Sequence, residues 1–143
     1  MTLRQLFEQQ LAQETSGFRV IAGASNMAAI SASQFTPPGC YVFAEKSSAE
    51  PNKLVTGVSQ RVIEQLAIVI VVRNVATAKG SDAADELDAL RLQAEQALLG
   101  WVPSIDYEKI EYVSGNLISF SNGFMTWKDS YKTARRINMK DRS

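Results

Sequence analysis

An α+β fold is predicted: a mostly antiparallel, twisted sheet carrying two main helices and closed by a β-hairpin. Three observations lead there. Residues 3–11 and 81–99 each place apolar side chains at helical spacing on a single stripe. Leu66-Ala67-Ile68-Val69-Ile70-Val71-Val72 is dense in β-branched residues without polar alternation, the pattern of a strand covered on both faces. Ser121-Asn122-Gly123 separates two β-prone runs, and Asn-Gly favours a type I′ hairpin because that turn needs positive φ at both central residues.

Thr2 stands where a helix cap belongs, ahead of Leu3, Leu6, Phe7 and Leu11, while Gln5, Glu8, Gln9, Gln13 and Glu14 face away and Ser16-Gly17 ends the helix. Residues 18–22 are predicted as a strand. The small-residue stretch 23–30 fits either an extended strand or a short helix or loop. After Pro37-Pro38-Gly39, residues 40–44 form the next strand. Residues 45–53 contain Pro51 and no apolar side chain larger than alanine, so they are expected to make a protruding loop. Val58 to Arg73 is the longest strand and central in the sheet, with 77–80 as its exit. Ser81 or Asp82 caps the second helix, and Asp85 and Glu86 lie in its first turns, where negative charge suits the helix dipole. Its stripe is Ala83, Leu87, Leu90, Ala94 and Leu98, and Gly100 fits the position just past its end. Trp101-Val102-Pro103 leads into the hairpin, whose second strand runs from Phe124 through Thr133 towards Ile137. Residues 138–143 are expected to be a flexible tail.

At 143 residues one domain spanning 1–143 is expected, long enough to bury roughly 70% of its unfolded surface. The 15 basic and 15 acidic residues cancel, so no global field draws the chain to nucleic acid or membrane. They are unevenly placed. From Lys128 onward six cations face only Asp129 and Asp141, leaving that segment at +4 and the remainder at −4. Cys40 is the only cysteine, so an intrachain disulfide is excluded and folding in the cytosol is expected. The first residues are too polar for a signal peptide, and the longest apolar run falls far short of the ~20 residues a membrane span needs.

The sequence contains no histidine, which removes the commonest general base near neutral pH and the commonest metal ligand. Ser-His and Cys-His catalysis are thereby excluded. Cys40 has no neighbouring cation to lower its pKa and reads as structural. Asp82, Asp85, Glu86 and Asp88 read as a solvated helix face, and 23–29 is too poor in glycine to cradle phosphate. Trp127 and Tyr131, interleaved with Lys128, Lys132, Arg135 and Arg136, could stack nucleic acid bases. Period-2 burial, with aromatics under the helices and lysines outside, explains them better. No catalytic, cofactor-binding or metal residue is expected.

The chain resembles the tail terminator proteins of tailed bacteriophages. The resemblance rests on the apolar strand ending Ile68-Val69-Ile70-Val71-Val72-Arg73, the capped helix 81–99 with Gly100-Trp101, the segment Tyr112-Val113-Ser114-Gly115-Asn116-Leu117, and the aromatic strand Trp127-Lys128-Asp129-Ser130-Tyr131-Lys132-Thr133. It is best over 58–137. It implies a non-enzymatic virion protein, assembled in the host cytoplasm, that closes into a ring, usually of six, on the head-proximal end of the tail tube. Such a ring stops tube polymerisation and joins the tail to the neck. The implied partners are copies of the chain itself, the tail tube protein and neck or head-completion proteins. Glu45, Lys46, Glu50, Lys53, Arg135 and Arg136 are the residues expected at subunit or tube contacts. A neck or head–tail completion protein is the alternative in the same class. A nucleic-acid-binding module using the basic C-terminal segment is the alternative from another.

Overall fold

The computed structural model describes residues 1–32, 37–73, 81–121 and 123–142. Its elements are α1 (Leu3–Glu14), β1 (Val20–Gly23), α2 (Met27–Ala32), β2 (Gly39–Ala49), β3 (Val58–Arg73), α3 (Ser81–Leu98), β4 (Glu111–Ser121) and β5 (Phe124–Met139). The five strands form one sheet in the order β1-β2-β3-β5-β4. β1 runs parallel to β2 across the α2 crossover, and every other pair is antiparallel. The predicted α+β architecture stands, with one parallel pair and a short third helix where 23–30 was ambiguous.

Thr2 closes a capping box on α1: its hydroxyl accepts from the Gln5 N–H at 3.2 Å and its own N–H donates to Gln5 Oε1 at 2.8 Å. Phe7 and Leu11 are fully buried. All five residues of the predicted α3 stripe are buried as well, so α1 and α3 lie on one face of the sheet against Leu66, Ile68, Ile70 and Val72. The alternate residues Ala67, Val69 and Val71 turn to the other face and pack with Ile30, Tyr41 and Phe43. The unbroken apolar run therefore reflects two covers over one central strand, each large apolar side chain gaining on the order of 2 kcal/mol from burial. Ser121 pairs with Phe124, leaving a two-residue hairpin loop with Gly123 at φ 79°. Asn122 and the exit 77–80 lie outside the described residues.

Two expectations about boundaries are corrected. Residues 45–49 are not loop: β2 continues through Ala49, paired with Val62, and the turn is 50–57. The supposed tail begins inside a strand, because Asn138 and Met139 end β5, paired with Ser59 and Val58. Polar side chains on both faces hid these segments from a pattern search, while the backbone ladder of β3 holds them extended. The consequence is an arm. β1 pairs β2 only as far as Val42, and β4 pairs β5 only as far as Lys132. Beyond those points β2, β3 and β5 run on as three strands without a flanking strand among the described residues.

Candidate functional site

The arm gathers all six residues expected at contacts to one end of the sheet. Its tip is organised by Asn52. The Asn52 amide donates to the carbonyls of Leu54 (3.3 Å) and Gly57 (3.1 Å), and its oxygen accepts from the N–H groups of Leu54 (3.3 Å) and Ser59 (3.0 Å). An asparagine side chain satisfying turn backbone in this way replaces the hydrogen bonds a tight hairpin would supply. Gly57, at φ 81°, closes the turn. The tip then presents Leu54, Val55, Val58 and Met139, with Val55 at 99% exposure.

The six residues are not equivalent. A β-bulge between Ala44 and Lys46 aims Glu45 across the sheet face opposite α1 and α3. There it accepts from Gln65 (2.8 Å), Ser130 (2.7 Å) and the Lys128 ammonium, bridging β2, β3 and β5. Burial alone would raise the Glu45 carboxyl, but the hydrogen bonds from Lys128, Gln65 and Ser130 prevail and hold it below its ordinary range. Glu45 therefore fastens the base of the arm. Arg135 is bound at 3.3 Å to Glu64, and Arg136 donates to the Ser59 hydroxyl at 3.1 Å while staying exposed. Lys46, Glu50 and Lys53 are exposed.

Arg61 is a further organiser. Its guanidinium clamps Glu108 in a bidentate pair (2.7 and 2.8 Å) and reaches Glu50 at 3.4 Å. The hydrogen bonds to Glu108 raise the Arg61 guanidinium further above its usual range, and Arg61 in turn lowers the Glu108 carboxyl. Two open grooves flank these residues. One, about 470 Å³, runs between the tip and Arg61/Arg136; the other, about 780 Å³, lies between Glu64/Arg135 and Ile105-Asp106-Tyr107. Both are open to solvent.

Elsewhere the chemistry is structural. Cys40 is fully buried, and burial pushes its thiol up to about 12, which makes it inert as a nucleophile near neutral pH. Among the described residues no cluster of three or more acidic or cysteine side chains could hold a metal, and no helix is long and apolar enough to cross a membrane. Tyr131 is 1% exposed. Trp127 lies under the Arg91 guanidinium at 4.2 Å and donates to Asp129 at 2.9 Å. Both aromatics are thus committed to the core side of β5, as period-2 burial implies, and base stacking loses its platform.

Sequence reasoning missed the network beneath them. Asp129, 2% exposed, accepts two bonds from Arg91 (2.9 and 3.0 Å), one from the Tyr112 hydroxyl (2.9 Å) and one from Trp127. It ties α3, β4 and β5 together, and Gly115 must lack a side chain because a Cβ there would strike Asp129 and the Tyr112 hydroxyl. The available signal was an aspartate midway between Trp127 and Tyr131 on the buried face, which demands a cationic partner.

A family model described as phage tail terminator protein matches residues 3–142. A chain from the solved structure of the virion of a native gene transfer agent (GTA) particle has the same fold, with a TM-score of 0.60 at 14% identity over 94% of this chain and 95% of that one. A search of curated proteins finds no match. With the family model spanning nearly every residue of the sheet, the helices and the arm, the chain belongs to the phage tail terminator family of structural virion proteins.

Proposed function

We propose that this chain is the ring subunit that caps the head-proximal end of a phage tail tube, stops tube polymerisation and offers the neck of the capsid its docking surface. The observation that carries the reading is the family match across residues 3–142. The fold neighbour, a chain of a virion particle, supports a place in the virion. The arm supports it physically. A ring is a heterologous contact that closes on itself, and an ordered projection with open strand edges, exposed apolar residues and mixed charge supplies one half of such a contact. Each stable contact needs on the order of 800 Å² per partner. In this reading Lys46, Glu50, Lys53 and Arg136 contact neighbouring subunits or the tube, while Glu45 and Arg135 hold the arm in shape.

Native mass spectrometry and electron microscopy of the purified chain, alone and mixed with tail tube subunits, test the proposal. Rings at tube ends and tubes of arrested length are the expected result. A chain that neither forms rings nor halts tube growth in the mixed sample overturns it. Rescue of isolated heads in place of isolated tails would reassign the protein to neck completion.

A further inference from the structure

We infer that the ring contact is made by the apolar, basic tip of the arm docking onto the outer face of α3 in a second copy of the chain. The inference rests on the ring reading and gives it a surface on each side. α3 packs inward on α1, β3 and β5 through its buried stripe, yet its outer side also carries apolar side chains. Ala89 and Leu92 are exposed there, and Leu99, two turns on from Leu92 and just past the helix end, continues the same line beyond Gln96. Leu92 and Leu99 are 52% exposed each. An amphipathic helix with a single buried face ordinarily keeps its outer side polar. Asp88 and Glu95 stand within one turn of Leu92, and Asp82, Asp85 and Glu86 carry the acidic run back to the helix start. The one cation of α3, Arg91, is held by Asp129, so the outer face is acidic.

The tip is its complement. Leu54, Val55, Val58 and Met139 make an apolar centre, with Val58 and Met139 directly paired across β3 and β5. Lys53, Arg136, Lys140 and Arg142 surround it and are exposed, with Asp141 offsetting one of the four. An apolar centre within a charged rim of opposite sign is the composition of a specific interface. Charge selects the occupant. The chain is neutral as a whole, yet α3, with five acids and one arginine, carries −4, while at the tip Lys53, Arg136, Lys140 and Arg142 outnumber Asp141 and Glu50 is taken up by Arg61, so each copy brings what the next one lacks. Tip and α3 are different surfaces, so the contact is head-to-tail, the kind that closes rings.

The test uses the full chain with tail tube subunits present. Arg136→Glu/Lys140→Glu and Asp85→Lys/Asp88→Lys should each weaken ring formation about tenfold or more through like-charge contact. The chain carrying all four changes should recover most of the loss. Circular dichroism and thermal melting confirm that each variant folds. Separately, Val55→Cys/Leu92→Cys under mild oxidation should give covalent ladders of the chain, because Cys40 is buried. Folded charge variants that all form rings and cap tubes as the unaltered chain does, without ladders from the cysteine pair, overturn the docking while capping stands. An unaltered chain that neither rings nor caps overturns the function and the docking with it.

Discussion

Replacing Arg91 with leucine isolates the Asp129 network. Asp129 would keep its bonds from Tyr112 and Trp127 and lose both charge-assisted bonds from the guanidinium. Breaking a buried ion pair from one side costs about 3–5 kcal/mol. Arg91 is 28% exposed at its side chain, so water can partly take its place and the lower end, about 3 kcal/mol, is expected. At about 2–4 °C per kcal/mol for a domain of this size, the melting temperature should fall by about 10 °C. Arg91→Lys keeps the charge without the fork that grips both carboxylate oxygens and should lose about half as much. Adding Asp129→Asn to Arg91→Leu removes the stranded charge and should restore part of the stability. Urea unfolding followed by circular dichroism measures all three. A loss below about 1 kcal/mol for Arg91→Leu, or a double variant weaker than the single one, would refute the view that a desolvated charge governs this junction.

Gly57 and Gly100 both hold positive φ, 81° and 77°, but a Cβ on Gly57 would lie 2.6 Å from the Met139 carbonyl oxygen whereas one on Gly100 meets open space. Gly100→Ala should therefore cost about 1 kcal/mol and Gly57→Ala distinctly more, with equal melting shifts counting against the close approach. Asn52→Ala removes four hydrogen bonds from the tip. It should speed amide exchange at Leu54 and Ser59 while leaving β3 protected, and unchanged exchange would show the turn holds without it. Glu45 has a folded-state pKa below its ordinary value, so its contribution is full above the unfolded value of about 4.3 and is lost as pH falls through the lower folded value. The stability gap between the unaltered chain and Glu45→Gln should be wider at pH 7 than at pH 3; an equal gap at both would mean the charge is immaterial.

Local and periodic features were legible in the amino-acid order itself. The Thr2 cap, the α3 stripe, the covered strand 66–72 and the hairpin that pairs Ser121 with Phe124 all depend on neighbours within a few residues or on burial repeating at a fixed period, and all stand in the fold. The extension of β2 through Ala49 depends on the partner strand: the Glu45 bulge and polar residues on both faces erase the alternation that marks a strand. Asp129 with Arg91, and Arg61 with Glu108, are separated by 38 and 47 positions in the chain. No local pattern names the partner in such pairs, because the two residues meet only after the sheet and α3 have assembled.

The sequence by itself determined the two main helices with their apolar stripes, the central strand and the closing hairpin, since those follow from period, capping and turn chemistry. Only the tertiary structure decided that the first part of the expected loop is strand, that Glu45 and Arg135 are tied to Lys128 and Glu64 across the sheet, and that Arg136, Lys53 and Val55 stay exposed. The physical reason is pairing at a distance. β3 fixes the register of β2 and β5 past the ends of β1 and β4, and that register, more than the composition of residues 45–53, sets which charges remain for a partner.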